Sequence, residues 1–125
     1  MHLSAQIPDL AHVVGPGWQE LLARVHQQLR ALAPDYALTV LKEKFGGLRL
    51  QVEPEGCEHS ALRAVIAAAE AETERTCEFC GAPGRVRSRG DRPAGWRKCV
   101  CEACHHEWSA HRIMIVRGVV RERQG

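Results

Sequence analysis

The chain has no apolar run long enough to cross a membrane. Its longest mainly apolar stretch, Ala61 to Ala69, is interrupted by Arg63 and falls well short of the ~20 residues a spanning helix needs. No charged segment followed by an apolar one opens the sequence either. The expectation is therefore a cytoplasmic protein without a secretion signal or a membrane partner. No internal repeat is present. Acidic residues are nearly missing from Gly81 to Val100, where Asp91 stands alone against Arg85, Arg87, Arg89, Arg92, Arg97 and Lys98, and histidine is missing from that stretch altogether.

What is present is an ordinary globular balance: 125 residues, 45% apolar and 26% charged, with a formal net charge of +2. A chain of this size supports one modest hydrophobic core, and a second small lobe needs another source of stability.

The first half supplies that core. Val13-Val14-Gly15-Pro16-Gly17 reads as a loop closing residues 1–17. Trp18, Leu21, Leu22, Val25, Leu29 and Leu32 then recur at helical spacing until Pro34. Tyr36–Lys42 and Leu48–Val52 alternate like strands, and Gly46-Gly47 between them predicts a tight turn and a β-hairpin. Ser60 is placed to cap a helix running to about Arg75, with Leu62, Val65, Ile66 and Ala69 as its apolar stripe and Glu70, Glu72 and Glu74 at its exposed end. The expected fold is thus α+β, with a helix–β-hairpin–helix core over residues 1–75 and a small zinc-ribbon or knuckle lobe over 76–125. The two either stay separate or pack into one compact domain. After Cys104, Trp108, Ile113, Ile115 and Val116 predict a short final helix or strand, and Arg121–Gly125 a frayed tail.

Residues 76–104 change to Cys, Gly, Pro and Arg without clear periodicity, so side chains alone cannot build a core there. Six cysteines in an unsecreted chain argue against a disulfide framework. Cys77-x2-Cys80 and Cys101-x2-Cys104, 20 residues apart, read instead as two knuckles converging on one structural zinc ion. Two intervening residues let a tight turn aim both sulfurs at one ion, and Gly81 eases the first turn. Buried free thiols are the competing reading. Cys99 competes with Cys101 as a ligand, and His105 and His106 compete with Cys104; Cys57 and His59 are read as non-ligands.

Three strings also carry a resemblance: Lys42-Glu43-Lys44-Phe45-Gly46-Gly47-Leu48-Arg49, Thr76-Cys77-Glu78-Phe79-Cys80-Gly81-Ala82-Pro83-Gly84, and Gly95-Trp96 ahead of Cys101. Together with Trp18 opening the first helix, they resemble a widespread family of small zinc-knuckle proteins of bacterial genomes and prophages. The resemblance covers roughly residues 15–104 and implies a zinc knuckle carried partly on mobile DNA, with no activity to transfer. Cys99 departs from it, since relatives carry threonine there, and the tail after Cys104 has no match.

A four-thiolate zinc site leaves no position for water, and no small-molecule substrate is inferred. His105-His106-Glu107 follows the last cysteine, the reverse of the order in zinc deaminases. With no histidine between the pairs, a nuclease built on paired cysteines and histidines is disfavoured as well. The functional expectation is a non-enzymatic protein docking on one protein partner, in the manner of an immunity protein or inhibitor. The alternative is nucleic-acid binding through Arg85, Arg87, Arg89, Arg92, Trp96, Arg97 and Lys98. Phe45 is expected to plug the core, leaving the charges around it open.

Overall fold

A computed structural model describes residues 4–53 and 60–123, so Cys57 and His59 lie outside the described residues. The architecture among the described residues is α+β: four α-helices and three separate two-stranded antiparallel sheets. None of the described helices is long and apolar enough to cross a membrane.

The segment expected to be a loop is more ordered than its breakers imply. Helix α1 (Ile7–Leu10) is closed at its start by the Asp9 carboxylate, which accepts from the Gln6 N–H at 2.8 Å. Ile7 is buried and donates its N–H to the Tyr36 hydroxyl, 2.9 Å away. A short helical turn, Pro16–Trp18, then leads into α2 (Gln19–Leu32). Trp18, Leu21, Leu22, Val25 and Leu29 are all buried, as the spacing predicts. Leu32 is the exception: it sits on the last turn and is 49% exposed.

Strands β1 (Ala37–Lys44) and β2 (Gly47–Glu53) form the expected hairpin, with two changes of detail. The register shifts between Leu38 and Val40, leaving Thr39 as a bulge. One extra residue inverts the facing of the rest of the strand, so Leu41 rather than Val40 packs beside Leu38 on the core. The turn also lies one residue earlier than expected. Lys44 pairs with Gly47, and Phe45 (φ 54°) and Gly46 (φ 88°) make the two-residue tip. The Glu43 carboxylate accepts from the Gly46 N–H at 2.8 Å and fixes that choice.

Helix α3 (Ser60–Thr73) covers the hairpin with Leu62 and Ala69. It also serves the edge of β2: the Glu70 carboxylate accepts from Leu50 N–H at 3.0 Å and the Thr73 hydroxyl from Leu48 N–H at 3.1 Å. The sheet edge is thereby closed to further strands. Glu72 pairs with Arg24 of α2 at 2.6 Å. Two of the three glutamates expected at the exposed end, Glu70 and Glu72, are therefore bonded within the chain, Glu72 at its surface.

The remainder consists of the ribbon β3 (Arg85–Ser88) and β4 (Arg97–Val100), helix α4 (Glu102–Ser109), and a last hairpin β5 (Ile113–Val116) and β6 (Val119–Glu122). The expected single final element is both a helix and a hairpin, and Arg121 and Glu122 of the expected tail belong to β6. Phe79, Val100 and Trp108 form a second buried cluster with Ile113, Ile115 and Val120 around it. Val86 and Cys99 belong to the first core instead. A Cβ at Gly46 would meet Val86 Cγ1 at 2.7 Å, so the hairpin tip lies directly on the β3–β4 ribbon and only glycine fits there.

Candidate metal centre

The first knuckle is a tight turn in which the Gly81 N–H donates to the Cys77 carbonyl (2.9 Å) and the Cys77 N–H to the Ala82 carbonyl (2.8 Å). The second is a helix start. Cys101 caps α4, its sulfur accepting from the Cys104 N–H at 3.4 Å, which puts both sulfurs at the positive end of the helix. The sulfurs of Cys77, Cys80, Cys101 and Cys104 all lie within 4.8 Å of one another, a spacing at which four ligands hold a single metal ion. Cys77 is buried, Cys101 and Cys104 half-buried and Cys80 exposed.

The electrostatics favour a cation. Burial pushes the Cys77 thiol up, and burial together with the neighbouring Cys77 does the same to Cys104. Burial would also raise Cys101, but hydrogen bonds from Cys104 and the adjacent thiols hold it below the usual thiol range. Four anionic sulfurs cannot coexist here unaided, whereas a divalent ion makes all four thiolates favourable.

The competing ligands fall away for distinct reasons. Cys99 is fully buried on the other side of β4, and burial raises its thiol to about 12. His105 is buried against Trp108, with Nε2 3.1 Å from the Ser88 carbonyl oxygen and 3.4 Å from Asp91. His106 is exposed and outside the sulfur cluster.

The knuckle is seated on the rest of the molecule by the Gly15-Pro16-Gly17 strip. The Gly17 N–H donates to the Glu78 carbonyl at 2.8 Å, and the Trp18 indole N–H to the Thr76 carbonyl at 2.8 Å. A Cβ at Gly17 would collide with the Cys77 carbonyl, so the loop comes this close only because it lacks a side chain. Beneath it, the Lys98 ammonium lies 2.9 Å from Glu78 and 3.6 Å from Glu43. That buried cluster joins β4, the knuckle and the first hairpin. In sequence the Gly15–Gly17 seat shows only as Gly15-Pro16-Gly17 ahead of Trp18, which reads equally well as a plain loop.

The basic array does not survive as one stripe. Lys98 is 7% exposed and neutralised from within, so it is not a contact residue. Arg87 is largely covered and bonds to Asp91 and Glu102, and the Asp91 carboxyl is held below the usual carboxylate range chiefly by that bond. Arg89 donates to the Trp108 carbonyl at 2.8 Å and stacks over its ring. Arg85, Arg92 and Arg97 remain exposed. Trp96 is 62% exposed and Phe45, expected in the core, is 67% exposed. Both rings line one cleft of about 710 Å³, with Lys44, Arg97 and the Pro93-Ala94-Gly95 loop. No family model matches the chain, and neither a curated protein nor a solved structure does.

Proposed function

We propose that the chain is a non-enzymatic binding protein in which one structural zinc ion fixes a surface that docks on a protein partner, as immunity proteins and inhibitors encoded on mobile elements do. Zinc–sulfur bonds of about 2.3 Å put the sulfurs of a tetrahedral site about 3.8 Å apart. Cys80 and Cys101, at 3.7 Å, match that edge. Thiolate-only ligation favours zinc among the common divalent ions and leaves no open coordination position.

The observation that carries the docking role is Phe45. It presents an aromatic ring at 67% exposure, with the Lys44 ammonium 5.4 Å from its centre, while its backbone takes the left-handed conformation. That conformation costs a non-glycine residue about 1–2 kcal/mol, and here no burial offsets it. Exposed Trp96 shares its cleft. Aromatic anchors with flanking arginines typify protein interfaces.

The test uses the zinc-loaded full chain as bait in extracts of the native host. Wild type is expected to retain one stoichiometric protein that Trp96→Ala does not. Repeated recovery of none, or equal recovery by both, removes the reading. Exposed Arg92 and Arg97 near Trp96, with exposed Arg85 at the far end of the same ribbon, favour single-stranded nucleic acid as the second reading. It requires salt-dependent binding of an oligonucleotide that is lost when those three arginines are reversed to glutamate.

A further inference from the structure

The cleft that holds Phe45 and Trp96 does not end at its own rim. Trp96 and Glu43 also line a second depression of about 360 Å³, whose floor and walls include Val13, Trp108, Met114 and Ile115. Val13 and Met114 are 46% and 51% exposed. Two adjoining concavities thus share one aromatic wall and present a band of aromatic and aliphatic surface. Aliphatic side chains such as Val13 and Met114 offer a nucleobase no stacking face, but they suit a partner's apolar side chain.

Cations outnumber carboxylates around this band. Lys42 and Lys44 flank it from the first hairpin, Arg97 from β4 and Arg117 from the β5–β6 turn, and all four reach solvent. The two carboxylates that line it, Glu43 and Glu78, are both already bonded to Lys98. Lys98 in turn lies 5.5 Å from the centre of the Trp96 ring and so ties that wall to the buried cluster. The outward field is positive although the whole chain carries only +2.

From this geometry, and resting on the protein-docking reading, we propose that the partner presents an acidic segment bearing two bulky apolar side chains, one for each concavity, with Asp or Glu facing Lys42, Lys44, Arg97 and Arg117. Trp96 is the shared anchor, and the rim cations steer and select the partner.

The experiment selects a displayed library of random dodecapeptides on the zinc-loaded full chain, then measures synthetic peptides from the enriched set by fluorescence anisotropy. Enriched sequences are expected to place Asp or Glu around two bulky apolar residues. Trp96→Ala should weaken the best of them about ten-fold or more, as loss of an interface anchor does. The pair Lys44→Glu with Arg97→Glu should weaken them several-fold and flatten the salt dependence, while Arg63→Glu on α3 changes binding less than two-fold. Trp96-dependent peptides without acidic enrichment would overturn the partner's chemistry and leave protein docking standing. Failure to enrich any Trp96-dependent peptide would overturn both. A 15-residue oligothymidylate bound in a Trp96-dependent way, with no peptide selected, would assign the surface to nucleic acid instead.

Discussion

The two halves of this molecule reach order by opposite means. Residues 5–73 bury Trp18, Leu22, Leu29, Tyr36, Leu48 and Leu50 between helices and a hairpin, and the β2 edge facing α3 is answered by Glu70 and Thr73. Among the described residues from Thr76 onward, Cys77, Phe79, Val100 and Trp108 form a small apolar cluster of their own beside a knot of four sulfurs, while Cys99 packs into the first core. One half is held by area removed from water; the other gathers four sulfurs, and coordination of the proposed ion would hold it. The surface with exposed Phe45 and Trp96 lies where they meet, so its shape depends on both.

The sharpest way to break this contrast is to remove the metal. Cys80→Ser suits the purpose because Cys80 is exposed, so the substitution disturbs little packing. Structural zinc contributes on the order of 10 kcal/mol in small modules, and losing one ligand forfeits most of it. Elemental analysis should show loss of the stoichiometric metal. Limited proteolysis should open residues 81–123, with most of the far-ultraviolet helical signal kept. An unchanged metal content or cleavage pattern would mean that the second half needs no ion. Acid should mimic the substitution, since the thiols must be deprotonated to bind and metal affinity falls as pH falls.

Trp18→Ala attacks the other half. Emptying a fully buried tryptophan site costs about 3–5 kcal/mol, and the Thr76 carbonyl loses its indole donor as well. The urea midpoint should fall sharply while one metal per chain remains. Loss of the metal along with the core would show that the halves fold only together.

How far this division is legible in the sequence depends on whether the signal is local. The cysteine pairs, the α2 stripe and the hairpin are local patterns, and each appears close to where the residues put it. Lys98 and Arg87 escape such a reading because Glu43, Glu78 and Glu102 reach them from distant segments. Basic residues on a strand look the same in sequence whether solvent or a carboxylate faces them, buried as Glu78 is for Lys98 or exposed as Glu102 is for Arg87. The turn slips by one residue because Gly46-Gly47 offers two equivalent registers, and only the fit of Gly46 against Val86 and the Glu43 bond chooses between them. The bulge at Thr39 carries no marker at all.

Glu78→Gln sharpens the comparison at the seam. Glu78 is 1% exposed and holds both the Lys98 ammonium and the Gly15 N–H. Neutralising it leaves Lys98 with Glu43 alone at 3.6 Å. A loss of about 2 kcal/mol is expected, because the amide still accepts hydrogen bonds but no longer offsets the charge. The pair is shielded from solvent, so the loss should change little between low and high salt. A strongly salt-dependent loss would place Lys98 in contact with water and return it to the surface array.

The smallest effect has the opposite sign. Phe45→Asn puts an Asn-Gly pair, which suits a two-residue hairpin tip, where the backbone already has φ of 54° and 88°. Relief of left-handed strain is worth about 1–2 kcal/mol, and the exposed Lys44–Phe45 cation–π contact that disappears about 0.5 kcal/mol. The net expectation is a gain of about 0.5–1.5 kcal/mol in the urea unfolding of the metal-loaded protein. A ring kept at a cost to stability has a purpose outside the fold, and the same variant should therefore bind selected peptides more weakly than wild type. A variant that unfolds more easily instead would make Phe45 a structural residue of the hairpin, and the strain at that tip would then say nothing about a partner.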